Sequence, residues 1–288
     1  MKVFILTDLE GPAGVNGRPD AGVGNSIINR STAAQALANE INACCEGLLA
    51  AGATDIVVLD GHGGSNSLDI FQIHRKACLF QAGALSPVPY LDGSYDAVIQ
   101  LGAHAMQQSN GFLCHTFNSH GIAGMTFNGQ TIGEIGMASM LAAYFHVPTI
   151  MVSGDEAACS EARDFLGEQI ETVSTKCGFN RYSAVNYPLD EVYEQLRQKS
   201  SEALRKAKDI PCIELPEHCE LVMRMMCPNQ ADAAEKLGIE RLDEVTLRFV
   251  SDDFVEIMAQ FMGWAPGVHK QKYNVTPQWL HPYSCKRK

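Results

Sequence analysis

The feature that most constrains the fold is the apolar run at residues 3–6, which breaks off at Asp8 and Glu10 before a Gly-Pro pair. Four consecutive apolar residues followed by a turn signal predict a strand buried on both faces. Carboxylates at positions i and i+2 of an extended backbone point to the same side. At the carboxyl end of a strand in an open α/β sheet, that side faces the crevice where ligands bind.

Two carboxylates this close repel each other, so we expect a positive charge between them. A divalent cation such as Mg²⁺, Mn²⁺ or Zn²⁺ is the simplest candidate, because carboxylate oxygens suit these ions. An isolated Asp-x-Glu pattern is also compatible with a solvated loop, and the rest of the chain decides between these readings.

The next segments predict a β-α-β unit. After a long Gly-rich loop at residues 11–29, apolar side chains spaced three or four apart predict an amphipathic helix that begins at Ser31 or Thr32 and ends near residue 51. The apolar run at residues 55–59 predicts the second strand. Because crossovers of this kind are right-handed, the two strands are expected to be parallel.

Later segments continue the alternation of strands and helices. We predict strands at residues 77–80, 95–102, 149–153 and 171–175, a hairpin at 124–129, and helices at 132–145 and 154–166. Residues 112–117 are compatible with a strand or an irregular run. The predicted fold class is therefore α/β, with a mixed, mostly parallel central sheet flanked by helices.

The C-terminal part has a different pattern. A charged helix at residues 189–207 precedes two strands, at residues 219–227 and 245–250, and two helices, at residues 230–237 and 253–262. We therefore predict two domains, a metal-binding catalytic α/β domain at residues 1–188 and a smaller C-terminal α+β domain at residues 189–288.

Charge and cysteine usage narrow the class of protein. With 22 Lys and Arg against 33 Asp and Glu, the formal charge is −11 at pH 7, which argues against nucleic-acid and anionic-membrane partners. No stretch approaches the roughly 20 apolar residues of a membrane helix, and the first apolar run is too short for a signal peptide. The ten cysteines are irregularly spaced, without a C-x-x-C pair. We read them as reduced thiols of a cytoplasmic protein.

Potential metal ligands follow three of the predicted strands and begin one helix. They are Asp8 and Glu10, then His62, then His104, and finally Glu134 in the first helical turn. Carboxylates and imidazoles without a thiolate suit catalytic zinc, manganese or cobalt. Five ligands exceed what one open catalytic ion takes, whereas two ions about 3.5–4 Å apart that share a carboxylate would use all of them. We predict that Asp8 is the bridge, because it lies nearest the strand.

Each of these residues also has an ordinary structural interpretation. A histidine at a strand end is often only hydrogen-bonded, and Glu134 could simply favour the helix dipole. Asp60 competes with His62 as a ligand because positions i and i+2 share a face. We prefer His62 as the ligand and expect Asp60 to orient an imidazole.

Five motifs in this order and spacing resemble the M55 family of D-aminopeptidases. They are TDLEG at residues 7–11, DGHG at 60–63, LGAHA at 101–105, the segment around His115, and NGQTIGEIG at 128–136. Residues 147–155 and 176–184 also resemble the family, so the likeness covers about the first 190 residues. Each motif is short, but five in register are specific.

The resemblance implies a binuclear zinc site, with two zinc ions per chain that manganese or cobalt could replace. Asp8 would bridge the ions, Glu10 and His62 would complete one, and His104 and Glu134 the other. His115 would be the catalytic side chain, since a histidine with an ordinary pKa of ~6.5 can act as general acid or base.

The implied activity is hydrolysis of the N-terminal residue of short peptides or amino-acid amides. The family likeness also implies a ring-shaped homo-oligomer, a homodecamer, whose active sites face a chamber that admits only small peptides. Two alternatives stay open at this point. One is a non-catalytic peptide- or metal-binding protein, and the other is a binuclear metallohydrolase that acts on another amide or ester.

Overall fold

The computed structural model describes residues 1–19, 26–63, 66–81 and 91–262. The strands are β1 (Lys2–Thr7), β2 (Gly17–Pro19), β3 (Ser26–Ile28), β4 (Asp55–Leu59), β5 (Ala77–Phe80), β6 (Ala97–Ala103), β7 (Ile122–Phe127), β8 (Gln130–Thr131), β9 (Thr149–Asp155), β10 (Glu171–Asn180), β11 (Ser183–Asn186), β12 (Cys219–Met225), β13 (Glu240–Arg241) and β14 (Thr246–Ser251). The helices are α1 (Arg30–Ala50), α2 (Glu134–Tyr144), α3 (Glu156–Leu166), α4 (Leu189–Lys206), α5 (Pro228–Glu235) and α6 (Phe254–Phe261).

The central sheet has seven strands in the order β11-β10-β9-β6-β1-β4-β5. All neighbours are parallel except β10 and β11, which form an antiparallel hairpin at one edge. Alternate residues of β1 point to opposite faces, as strand geometry requires. Val3 and Ile5 pack in the core that includes α1 and α4, and Phe4 packs on the other side with Ala142 of α2. The predicted α/β fold class is confirmed.

A second sheet of five antiparallel strands has the order β13-β14-β12-β7-β8. Its core contains Leu221, Phe249 and Phe254 together with Met137 and Met140 of α2. Helix α2 therefore packs against both sheets, which fixes the position of its first turn between them.

The division into domains at residues 1–188 and 189–288 stays a prediction. The second sheet takes strands from both segments, because β7 and β8 pair with strands that follow residue 188. The first sheet lies within residues 1–188, but helix α4 from the second segment packs against α1 beside it. Sequence periodicity reports which residues are buried but not which neighbour buries them, so this interleaving carries no local signal.

Several predicted boundaries shift. The cap of α1 is Asn29, whose side chain accepts a hydrogen bond from the Thr32 amide at 3.3 Å, rather than Ser31 or Thr32. The loop at residues 11–29 contains the short β2–β3 pair, although its residues 20–25 lie outside the described part. Residues 112–117 are irregular, and β10 continues to Asn180. Within the described residues, no helix is long and apolar enough to cross a membrane.

Gly102 allows the ends of β1 and β6 to approach closely. It has a φ of +73°, and a Cβ atom built on it would lie 2.2 Å from the Asp8 carbonyl oxygen. The Asp8 amide donates to the Leu101 carbonyl and the Gly11 amide donates to the Gly102 carbonyl, each at 2.8 Å. A glycine is therefore required where the two strands deliver their last residues to the same edge.

We predict that Gly102→Ala lowers the free energy of unfolding by about 2–5 kcal/mol, from a left-handed backbone cost of about 1–2 and an overpacking cost of about 1–3. Gly52→Ala is the matched control, because Gly52 has a φ of +94° but no atom within 4 Å of its built Cβ. This control is expected to show only the backbone cost. Urea unfolding measures both variants, and equal losses would contradict the close-approach argument.

Candidate metal centre

The five predicted ligands lie together at the carboxyl edge of the central sheet. Asp8 and Glu10 follow β1, His62 follows β4, His104 follows β6, and Glu134 is the first residue of α2. Because β1 lies between β4 and β6, these strand ends are adjacent in space although they are far apart in the chain.

The distances divide the cluster into two halves that share Asp8. Asp8 Oδ1 lies 2.9 Å from His62 Nδ1, and Asp8 Oδ2 lies 3.2 Å from His104 Nε2. Glu10 Oε2 is 3.2 Å from the same His62 nitrogen, and Glu134 Oε1 is 3.2 Å from the same His104 nitrogen. The two carboxylate oxygens of Asp8 thus face different imidazoles, each of which faces a further carboxylate.

This arrangement fits cations. Tetrahedral zinc ligands at about 2.0–2.1 Å from the ion lie roughly 3.3 Å from one another, close to the observed spacings. Glu10 Oε2 is buried and accepts no hydrogen bond among the described residues, as expected of a ligand oxygen. His104 Nδ1 donates to the Ala105 carbonyl at 3.0 Å, so Nε2 is the nitrogen that faces the carboxylates and that would bind an ion.

The electrostatics of the cluster also favour added positive charge. Burial and the negative charge of Asp8 raise the pKa of Glu10 to about 7. Burial opposes ionisation of Asp8 as well, but hydrogen bonds from His104 and His62 hold its pKa well below its usual value. For His104, burial is outweighed by the carboxylates of Glu134 and Asp8, which raise its pKa. In the absence of another cation, Glu10 and His104 therefore hold protons more tightly than usual, and a divalent ion would displace those protons.

His115 lies against the His104 side of the cluster. Its ring stacks on that of His104 with centroids 3.9 Å apart, and its Nε2 is 4.0 Å from Glu134 Oε1. His115 Nδ1 donates to the Leu113 carbonyl at 2.8 Å, so its Nε2 is the unprotonated nitrogen. Ligand atoms of His104, His115 and Glu134 all lie within 4.8 Å of one another, so His115 is near enough to act on a bound ion or to bind one. Its catalytic role stays a prediction.

The ordinary pKa of ~6.5 used to predict the role of His115 does not describe its environment. Burial, and then the charge of neighbouring His104, lower the pKa of His115 to about 4. Its imidazole is therefore neutral near pH 7 and can accept a proton at Nε2.

The hydrogen-bond partners of Asp60 differ from the imidazole that the sequence predicted. Its Oδ2 accepts hydrogen bonds from the Ser67 amide at 2.7 Å, the Leu68 amide at 2.8 Å and the Gln81 side chain at 3.1 Å. None of the hydrogen bonds described for Asp60 goes to an imidazole. This carboxylate instead holds the segment that follows His62.

Sequence reasoning missed the residues that hold the loop after β1. Lys176 of β10 is fully buried, and its Nζ donates to the Glu10 carbonyl at 2.9 Å and the Val15 carbonyl at 3.2 Å. Glu40 of α1 is also fully buried and accepts from the Ala13 amide at 2.7 Å. A glutamate on the apolar face of a predicted helix was the available signal, since such a residue needs a buried partner.

Glu161 of α3 plays a similar part on the other side of the site. Its Oε2 accepts from the Met106 amide at 2.6 Å, two residues beyond His104. Burial raises the pKa of Glu161 to about 7. Nothing in the sequence around residue 161 pointed to this contact, because α3 meets residue 106 only in the folded chain.

Comparison with known proteins finds matches to one peptidase family. The model of the M55 peptidase family, described as D-aminopeptidase, matches residues 1–262. A D-aminopeptidase of Bacillus subtilis (strain 168) is 26% identical over 261 residues, which cover 89% of this chain and 93% of that protein.

A solved structure has the same fold. It is described as the Zn-dependent D-aminopeptidase DppA from Bacillus subtilis, a self-compartmentalizing protease. The TM-score is 0.82 at 24% sequence identity, over 91% of this chain and 96% of that chain.

The raised pKa of Glu40 allows a test of its contribution to the stability of the folded protein. Burial raises this pKa from 4.5 to about 8, so between these values the folded protein holds a proton that the unfolded chain releases. The free energy of unfolding contributed by Glu40 therefore falls as pH rises, by up to about 1.4 kcal/mol per pH unit. We predict that Glu40→Gln removes this slope and becomes more stable relative to the wild type as pH increases.

Urea unfolding of both proteins between about pH 5 and about pH 8 measures the difference. Glu46→Gln, on an exposed position of the same helix, controls for the loss of one negative charge. A stability difference between wild type and Glu40→Gln that stays constant across this range would contradict the prediction.

Proposed function

The chain belongs to the M55 family of D-aminopeptidases, and we propose that it is a zinc-dependent aminopeptidase that releases the N-terminal residue of short peptides or amino-acid amides. The observation that carries this proposal is the arrangement around Asp8, whose two carboxylate oxygens face two different imidazoles at 2.9 and 3.2 Å. A single carboxylate placed in this way is suited to bridge two ions.

The proposed metal content is two zinc ions per chain, with manganese or cobalt as possible replacements. In this proposal Asp8 bridges the ions, and the remaining ligands divide by proximity. Glu10 and His62 hold one ion, and His104 and Glu134 hold the other. The description of the related DppA structure as Zn-dependent supports the choice of metal.

When bound, the ions supply Lewis-acid polarisation of the scissile carbonyl and lower the pKa of water from 15.7 toward ~7. The unprotonated Nε2 of His115 accepts the proton of the attacking water and then donates it to the leaving amine. The hydrogen bond from His115 Nδ1 to the Leu113 carbonyl keeps the ring in the tautomer that this transfer needs.

The accessible carboxylates suit a substrate with a free α-amino group. The Asp8 side chain is 21% exposed and that of Glu134 is 28% exposed, so negative charge faces the opening of the site. Two bound zinc ions would outweigh the three carboxylates of the cluster, so its charge does not exclude a phosphate ester. The family match is what favours peptide hydrolysis over phosphoester hydrolysis.

We propose that the protein acts as a cytoplasmic ring-shaped homo-oligomer, a homodecamer, whose sites face an internal chamber. The description of DppA as self-compartmentalizing supports this assembly. On the edge hairpin of the central sheet, Phe179 is 67% exposed and Val185 is 53% exposed, which gives an apolar surface for contact between subunits.

The function is tested by measuring metal content together with product release. We expect about two zinc ions per chain, loss of activity with a chelator and recovery with zinc. D- and L-aminoacyl amides compared with a chromogenic phosphate ester define the reaction. Zinc-loaded protein that binds dipeptides without hydrolysing them would instead support a binding protein, and ester hydrolysis alone would support another metallohydrolase.

We predict that His115→Ala lowers kcat by about 10²- to 10⁴-fold, the usual contribution of a general acid or base, without changing zinc content. His218→Ala is the control, since His218 is an exposed histidine hydrogen-bonded to Asp252 and is expected to keep full activity. Steady-state kinetics and metal analysis give the two readouts. Loss of zinc from His115→Ala would show that His115 is a ligand instead.

A further inference from the structure

We propose that Arg181 is a positioning residue that holds His115 in its working orientation, an inference that rests on the catalytic role proposed for His115. Arg181 lies in the turn between β10 and β11 and comes from a part of the chain 66 positions away from His115. Apart from one hydrogen bond to the Gln107 side chain, the described hydrogen bonds of Arg181 go to the backbone immediately before His115.

The side chain and the main chain of Arg181 both form hydrogen bonds with the segment at residues 113–114. Its Nε and Nη2 both donate to the Cys114 carbonyl, at 3.0 and 2.6 Å, and Nη2 also donates to Gln107 Oε1 at 2.8 Å. The Arg181 carbonyl accepts from the Leu113 amide at 2.8 Å. Arg181 thus holds the peptide groups on either side of the Leu113–Cys114 peptide, whose carbonyl oxygen accepts from His115.

The segment around His115, residues 113–117, has an unusual backbone conformation. Leu113 and Phe117, on either side of His115, have φ values of +51° and +55°, in the left-handed region that is unfavourable for residues other than glycine. The Phe117 end is held by its amide, which donates to Glu134 Oε1 at 2.5 Å. Arg181 provides the corresponding restraint at the Leu113 end, where the backbone would otherwise relax.

The position of Leu113 sets the orientation of the His115 ring. The Leu113 carbonyl accepts the hydrogen bond from His115 Nδ1, and the ring then stacks on His104 at an interplanar angle of 14°. Movement of this carbonyl would turn the ring and displace Nε2 from the cluster. Displacements of about 1 Å at a reacting group can cost about 10²-fold in rate.

The geometry of the contact requires a guanidinium group. Two nitrogens of one planar fork donate to a single carbonyl while one of them also reaches Gln107. A lysine ammonium is a point donor on a flexible stem and cannot hold this arrangement. Arg181→Lys is therefore expected to restore only part of the activity lost in Arg181→Met.

The proposal is tested on the zinc-loaded protein with Arg181→Met, which keeps an unbranched side chain but no donor. We expect kcat to fall by about 10- to 100-fold with KM within about threefold and zinc content unchanged. In the double variant with His115→Ala, the Arg181 substitution should cost no more than about twofold further, because its effect passes through His115.

Arg241→Met is the matched control. Arg241 is also partly buried and clamps two carbonyls, donating through Nε to Asp243 and through Nη2 to Glu244, but in the second sheet. The Arg241→Met substitution is expected to lower the midpoint of thermal unfolding without lowering kcat.

The outcomes separate this inference from the proposed function. If Arg181→Met keeps full kcat while His115→Ala is inactive, the role of Arg181 is overturned and that of His115 is not. The same holds if the double variant loses the full effect of both single substitutions. Full kcat in His115→Ala contradicts the proposed catalytic role and removes the basis for this inference. If the double variant falls below detection, a crystal structure of Arg181→Met decides, since an unmoved His115 ring would overturn the proposal.

Discussion

The structure depends on the mutual repulsion of carboxylates gathered at one edge of the central sheet. Asp8, Glu10 and Glu134 meet there, and their oxygens lie 2.9–3.2 Å from the imidazoles of His62 and His104. Burial makes isolated charges costly, and burial together with the charge of Asp8 raises the pKa of Glu10. Such a cluster favours added positive charge, and the neighbouring backbone must be held firmly enough to keep these carboxylates in place.

Much of that restraint comes from strand β10 and the turn that follows it. Lys176 in β10 holds the loop that carries Glu10, and Arg181 after β10 holds the segment that precedes His115. The same edge hairpin therefore supports both halves of the site. Helix α2 completes the arrangement, because it packs against both sheets and presents Glu134 from its first turn.

The candidate ligands could be chosen from the sequence because each of them lies where a regular element ends or begins. An apolar run followed by Asp8, His62 or His104 is a local pattern, and a helix start at Glu134 is another. The residues that support the site were not readable in this way. Glu40 and Lys176 stand in the middle of elements, and the partners they need come from the loop after β1. Likewise, Leu113 and Phe117 have left-handed backbone conformations. Neither residue is a glycine, so the sequence does not indicate these conformations.

By itself, the sequence determined the class of fold, the order of its main strands and helices and the residue types available for chemistry, because periodicity and turn residues act over a few neighbouring positions. Only the tertiary structure decided that β1 lies between β4 and β6, that Asp8 faces two imidazoles, and that the pKa of His115 is lowered to about 4. Strand order, distance and burial arise from contacts between distant segments, and such contacts exist only once the chain has folded.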